Sequence, residues 1–350
     1  MLNLELKLMS KIRYGYTLEK SICDTDTFKK YFAIKRLIIK KNKLELLLKK
    51  DTDELLLLIT SNLSLYSYYI EESKRPIIIF HLNDENYDFL QAKFYKHKNI
   101  KFIIRNYKIF SAFFLLKNLL RWPLVTIKWI HYYCIYNLKN NGTSLKETIM
   151  HLRRILFSIR FILKQIIFAL LIKKIKHKVI YLPLNEINFL NLGKNKKSHK
   201  KYIISFSGSV HSSERIRSYH IAKKMGFSNG YSGWGWKSKG SLTSKAYIEI
   251  LKNSKYSLCP TGHINLDTFR FYEIIKSGAL PIIPKETPFQ PFNYYSEIYG
   301  VDQRIILGLF TKPNVDKIVK SISNKDYYLI LKKLRKSIKE KNKKVKDMLI

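Results

Sequence analysis

Residues 254–284, SKYSLCPTGHINLDTFRFYEIIKSGALPIIP, constrain the fold more than any other stretch of the chain. Residues 256–259 are a short apolar strand, and Pro260-Thr261-Gly262 makes a turn. A helix is predicted over 267–276, ended by Gly278, and a second apolar strand follows over 279–283. In a β-turn-α-turn-β unit of this kind, the strand C-termini and helix N-termini face the ligand. Arg270 and Glu273, three residues apart, share one face of the helix. The pair reads in two ways. It is a surface ion pair worth a few tenths of a kcal/mol, or it is a guanidinium fork for a phosphate or carboxylate beside an acceptor for paired ribose hydroxyls. The CPTG turn, the Asp267-Thr268 helix start and the Gly278 exit weigh toward the second.

Upstream, 77–80 is a continuous apolar run of the buried parallel-strand kind, ending in His81-Leu82-Asn83-Asp84-Glu85. A helix over 87–98 and a strand over 100–104 complete a βαβ unit. Residues 44–48 and 55–59 are strands or short buried helices, which periodicity does not separate. Asp84 and Glu85, acidic and at a strand end, are candidates for a general base, with a helix cap or structural turn as the alternative. His81 reads as a structural hydrogen-bonding residue. A strand over 178–183 closes this half, and 188–201 is the linker candidate.

A second α/β half opens with a strand over 202–206 running into Ser207-Gly208-Ser209. Ser212 or Ser213 then caps a helix carrying Glu214, Arg215 and Arg217. A small turn before a helix start lets backbone N–H groups approach a phosphate, although an ordinary tight turn has the same sequence. Residues 226–240, rich in Gly, Ser and Trp, read as a lid or acceptor loop. A helix over 242–253, a strand near 304–307 and two basic helices over 315–323 and 327–344 complete the chain. The expected organisation is two α/β domains, 1–190 and 191–350, with no internal repeat.

Residues 109–178 read as a helical insertion in the first domain, dense in aromatic and basic residues. Their apolar positions recur at helical spacing, yet charges interrupt every run before the eighteen or so residues a membrane span needs. Such a segment is an ordinary packed hairpin or lies at an anionic membrane surface. The whole chain carries a formal charge of +39, from 65 Lys and Arg against 26 Asp and Glu. Compositional bias, an anionic membrane and nucleic acid each account for such an excess; no recognisable nucleic-acid module accompanies it. Cys23, Cys134 and Cys259 are odd in number and far apart, which makes neither a disulfide framework nor a metal knuckle. With no signal-like apolar core in the first twenty residues, the expectation is a cytoplasmic protein, peripheral on a membrane where 109–178 meets lipid.

Residues 254–283 resemble the nucleotide-sugar-binding segment of exostosin-like glycosyltransferases, whose pattern runs roughly S-K-F-x-L-C-P-R-G-x-G-x-D-T-x-R-x-Y/W-E-A-x-x-x-G-x-I-P-V-I. Ser254, Leu258, Cys259, Pro260, Gly262, Asp267, Thr268, Arg270, Tyr272, Glu273, Gly278 and Pro281 match it as they stand. Thr261 replaces the usual Arg of the CPRG turn, and Ile264 replaces a Gly. Weaker landmarks precede it at 77–85, 102–107, 179–185 and 203–209 with Arg215.

The resemblance implies a GT-B architecture, two Rossmann-like domains facing a cleft, with the donor held by the C-terminal one. It implies inverting, metal-independent transfer of a sugar from a nucleotide-sugar, as co-substrate, to a glycan or glycolipid. No metal ligands and no resident cofactor are expected. An inverting transfer needs a base for the acceptor hydroxyl and positive charge on the departing diphosphate. Arg270 is assigned the second role, helped by Arg215 and the Ser207-Gly208 backbone within a donor site that includes Pro260, Gly262 and Asp267. Glu273 is assigned to the donor ribose, and Asp84 or Glu85 to the base. The alternative from another class is a non-catalytic basic protein that binds nucleic acid or anionic membrane.

Overall fold

In the computed structural model of the chain, the described residues are 14–16, 36–38, 56–60, 62–81, 91–105, 107–135, 145–181, 200–231, 239–262, 266 and 268–349. They divide between two compact units. One comprises 1–116, 163–189 and 339–350, the other 117–162 and 190–338.

The first unit holds six parallel strands: β1 (Tyr14–Tyr16), β2 (Arg36–Ile38), β3 (Leu56–Thr60), β4 (Ile77–His81), β5 (Ile100–Arg105) and β6 (Val179–Tyr181). Their order is β2-β1-β3-β4-β5-β6. Every residue of β3 and β4 is buried, which is why these strands read as unbroken apolar runs rather than alternating ones. The 55–59 run, ambiguous by periodicity, is therefore a strand. The helix expected over 87–98 is described only as α2 (Ala92–Tyr95), after α1 (Ser67–Glu72).

His81 and Arg105 are register partners at the ends of β4 and β5. His81 is fully buried and its Nδ1 lies 2.5 Å from the Tyr95 hydroxyl, to which Arg105 Nη1 donates at 2.7 Å. The Arg105 guanidinium also lies over the Phe168 ring. His81 thus occupies the structural role its sequence context suggested.

The second unit holds five parallel strands in the order β11-β10-β9-β7-β8. They are β7 (Tyr202–Ser209), β8 (Gly226–Tyr231), β9 (Ser254–Leu258), β10 (Leu280–Pro284) and β11 (Ile306–Leu307). Counted in chain order, the series is 2-1-3-4-5, the flavodoxin-like doubly wound arrangement. The first five strands of the first unit have the same order, a likeness that left no repeat in the sequence.

The start of the expected 226–240 loop is instead strand β8, pairing with β7 from Gly226 to Tyr231. A side chain at Gly226 would place its Cβ 2.1 Å from the Ile204 carbonyl oxygen, so glycine lets the edge strand approach. Two glycines, a serine and an asparagine weaken the strand propensity of GFSNGY despite Phe227 and Tyr231, and pairing with β7 overrides this.

The helices numbered on from α2 are α3 (Ala112–Leu119), α4 (Trp122–Trp129), α5 (Leu145–Leu156), α6 (Ser158–Leu171), α7 (Ser213–Met225), α8 (Ser244–Lys252), α9 (Phe269–Lys276), α10 (Tyr294–Tyr299), α11 (Lys312–Ser321) and α12 (Asn324–Leu349). The sequence placed all of 109–178 in the first domain. In the structure 117–162 groups with the second unit. Arg121 forms an ion pair with Glu286, Arg217 Nη1 donates to the Tyr132 carbonyl at 3.1 Å, and Phe161 meets Phe289 edge-on.

The β9-α9-β10 unit appears as expected. Helix α9 buries Phe271, Tyr272, Glu273, Ile274 and Ile275; each fully buried apolar side chain there contributes about 1.5–3 kcal/mol relative to exposure. It ends in a Schellman motif. The Ala279 N–H donates to the Ile274 carbonyl and the Gly278 N–H to that of Ile275, with Gly278 at φ 78°. Helix α12 holds this end from outside, Arg335 donating to the Ile275 carbonyl and Tyr327 to that of Gly278.

Candidate functional site

In a doubly wound sheet the ligand crevice lies beyond the strand C-termini where the winding reverses. In the second unit that point falls between β7 and β9, since β7 leads to β8 on one side and to β9 on the other. The N-terminal turns of α7 and α9 and the Pro260-Thr261-Gly262 turn follow these strands. Arg215 and Arg270 both lie at this point.

Arg270, in the first turn of α9, donates from Nη2 to the Ser207 carbonyl at 2.6 Å and lies over the Phe206 ring. Gly208 makes this possible, because a Cβ there would sit 2.2 Å from Arg270 Nη2. Arg270 Nε is buried with no hydrogen-bond partner among the described residues. Burial opposes its charge, but Tyr247, Cys259 and Glu273 around it more than offset this and raise its pKa. Glu273 is 1% exposed, and its Oε2 accepts from the Tyr247 hydroxyl at 2.8 Å. Burial, then the Glu273 charge, pushes the Tyr247 phenol well up, so Tyr247 stays a neutral donor. A ribose hydroxyl reaching Glu273 would share that carboxylate with Tyr247.

Ser207 and Gly208 do not form the turn expected of them. They are strand residues paired with Asn229 and Gly230, because the unrecognised strand β8 extends the ladder through Ser209. The turn falls at 210–212. Ser212 caps α7, its side chain accepting from the Arg215 N–H.

Arg215 donates from Nε to the Thr261 carbonyl at 3.1 Å and from Nη1 to that of Ser209 at 3.3 Å. Burial, then the nearby positive charge of Arg270, lowers its pKa to about 9, so it remains a cation at neutral pH. Glu214 completes the cluster. It is 1% exposed, and its Oε2 accepts from the Thr261 N–H at 3.1 Å and hydroxyl at 2.6 Å. Its Oε1 has no partner among the described residues. Burial pushes the Glu214 carboxyl up to about 7 against the opposing pull of the Thr261 bonds and Arg215.

Thr261, where the family pattern has Arg, thus ties the turn to α7 through Glu214. Pro260 is buried and Gly262 partly exposed. Cys259 is buried with its thiol pushed up to about 11, chiefly by burial, which makes it an inert thiol at neutral pH. Asp84, Glu85 and Asp267 lie outside the described residues.

Sequence reasoning missed Glu214 and Tyr247 as members of this site. Glu214 carried a signal, an acid in a capped first turn beside Arg215, but its burial is a tertiary fact. Tyr247 carried none. Among the described residues no group of three or more His, Cys, Asp or Glu is placed to hold a metal ion.

Residues 187–298 match the family model of the RXYLT1 C-terminal domain. This is an exostosin-related glycosyltransferase family. The RXYLT1-like segment contains β7 to β10 and every residue of the cluster, Gly208, Glu214, Arg215, Tyr247, Thr261, Arg270 and Glu273 among them. No curated protein sequence matches the chain.

Two solved structures align with it at low similarity. One is described as the DNA-modifying enzyme beta-glucosyltransferase, with and without its substrate uridine diphosphoglucose. It is 13% identical over 97% of both chains, with a TM-score of 0.48. The other, T4 phage BGT in complex with its UDP-glucose substrate, is 15% identical over 86% of this chain and 82% of that one, at 0.38. Likeness of this degree carries no argument about function.

Proposed function

We propose that the chain is a GT-B glycosyltransferase that moves a sugar from a nucleotide-sugar donor to a hydroxyl of a glycan or glycolipid acceptor. The observation that carries this reading is that Arg215 and Arg270 are both anchored on carbonyls at the end of β7, Ser209 and Ser207, at the β7/β9 switch point within the RXYLT1-like segment. The charge of Arg270 is felt at Arg215, and an anion bound near both would relieve that repulsion. A diphosphate is that anion. As the bond from the anomeric carbon to the diphosphate oxygen breaks, negative charge develops on the leaving group, and preorganised cations lower the barrier most where charge develops.

The acceptor oxygen forms the new bond from the opposite face, inverting the centre, and its proton passes to a carboxylate. Asp84 or Glu85 is proposed for that step. The two arginines meet the leaving-group charge without a resident metal ion or cofactor in this scheme. Glu273, which with Tyr247 favours the charge on Arg270, is proposed to accept from the donor ribose, and Glu214 fixes the Pro260-Thr261-Gly262 turn through Thr261.

A ligand that binds only the folded chain raises its melting temperature by mass action, about 2.7 kcal/mol at one hundred times its Kd. Thermal melts with UDP-, GDP-, CMP- and ADP-sugars are expected to show one class that stabilises the chain and is then turned over to free nucleotide. If no nucleotide-sugar shifts the melt and none is consumed, the proposal fails.

A further inference from the structure

The exposed face of the helical segment in the second unit is the surface that the proposed chemistry leaves unexplained. Scattered exposed apolar residues are normal, but here they are concentrated. Of the eighteen exposed large hydrophobic residues among those described, seven fall within the 117–162 stretch of this unit. On and just before α4, Leu120 is 83% exposed, Leu124 65% and Ile127 63%. Leu124 and Ile127, three residues apart on α4, share one face, with Leu120 exposed in the turn before it, while Val125 and Thr126 are buried. The helix therefore buries one apolar face and presents a second to solvent. Lys117, Lys128, Arg153 and Arg160 are exposed on the same segment.

Charge identifies the occupant. Residues 117–162 contain eight Lys and Arg and one acidic residue, Glu147, whereas the rest of the chain has 57 Lys and Arg against 25 acidic residues. Acid depletion, not lysine abundance, sets this segment apart.

We infer that this face docks on the surface of a bilayer containing anionic lipid. Leu120, Leu124 and Ile127 enter the boundary between headgroups and acyl chains, and Lys117 and Lys128 meet lipid phosphates. An apolar face flanked by basic side chains fits that interface. A nucleic-acid backbone would satisfy the lysines but gain nothing from bare leucines. A second copy would set a basic face against itself. No helix among the described residues is long and apolar enough to cross a membrane, so the contact is one of docking. The inference does not depend on the proposed activity, since lipid binding is read without turnover.

The test is flotation of the full chain with vesicles of phosphatidylcholine alone and of phosphatidylcholine with phosphatidylglycerol. The chain is expected to float with the anionic vesicles, to be released by salt, and to bind neutral vesicles about tenfold more weakly. Combining Leu120→Ser, Leu124→Ser and Ile127→Ser is expected to cut anionic-vesicle binding by about tenfold or more. These side chains are exposed, so the melting temperature should hold. Lys117→Glu with Lys128→Glu should lower binding and its salt sensitivity together. Absence of flotation, equal binding to both vesicles, or full binding by the serine variant overturns the inference. So does a serine variant that keeps vesicle binding but loses RNA or DNA binding, or turns a dimer into a monomer.

Discussion

The two units wind their first five strands in the same order, and each sets an arginine near a tyrosine hydroxyl, yet the two arginines have different surroundings. In the first unit Arg105 ends β5, is 1% exposed, and meets Tyr95, His81 and Phe168. The winding of that sheet reverses between β1 and β3, two strand positions away. In the second unit Arg270 stands at the reversal itself, keeps some solvent exposure, and faces another arginine. Position relative to the switch point separates an arginine that holds a core together from the one proposed to meet the donor. A buried polar cluster is therefore not itself a sign of a site.

The largest effect should come from removing Arg270. Arg270→Ala is expected to lower turnover by about 10²–10³-fold, the usual consequence of losing one preorganised donor to developing charge. The nucleotide-induced rise in melting temperature should go with it. Arg270→Lys keeps the charge but loses the planar fork, and should recover only part. Unchanged turnover in the alanine variant would falsify the site assignment.

Arg105→Ala makes the opposite prediction. It leaves the Tyr95 hydroxyl with His81 but without its guanidinium donor and empties volume beside Phe168, and is expected to cost about 2–4 kcal/mol of stability in urea unfolding. The remaining folded protein should bind the nucleotide-sugar with unchanged affinity. If Arg105→Ala instead abolished donor binding at constant stability, the contrast between the units would collapse.

Gly208→Ala sharpens the comparison without touching a charge. The new Cβ would fall 2.2 Å from Arg270 Nη2, so the guanidinium must leave the Ser207 carbonyl. Since about an ångström of misplacement costs up to a hundredfold, turnover should fall by about ten- to a hundredfold. The melt should move little, because the contact is with the far end of a flexible side chain. A large stability loss with normal turnover would show that Arg270 serves the fold and not the donor.

How much of this was legible follows from where each signal resides. Strands buried on both sides, such as 77–80 and 280–283, announce themselves as apolar runs, and Gly278 marks its helix end through a positive φ. The Arg270–Glu273 spacing survives because helix geometry is local. What failed was tertiary. Strand β8 exists because Gly226 can lie against Ile204, which no local preference encodes, and missing it turned Ser207 and Gly208 from strand into loop. The pairing of 117–162 with the second unit rests on Arg121 meeting Glu286, residues far apart in sequence. Glu214 was visible as a residue, but only the fold shows that the Thr261 substitution gives it a partner.

Glu214 supplies the smallest and most direct test of how the second unit differs. Burial raises its carboxyl from the ordinary 4.5 to about 7. Between those values the folded chain holds a proton that the unfolded chain has released, so this group's contribution to stability falls as pH rises through the window. Arg215, lowered to about 9, begins to deprotonate only above it. Glu214→Gln keeps an acceptor for the Thr261 N–H and removes the ionisation. The variant is expected to exceed the parent by about 1–3 kcal/mol at pH 8 and to converge with it near pH 5, measured as urea midpoints. Parallel pH profiles would mean that Glu214 is already compensated in the free protein. A stability gain accompanied by weaker donor binding would place the carboxylate's charge, and not merely its shape, in the positioning of the Thr261 turn.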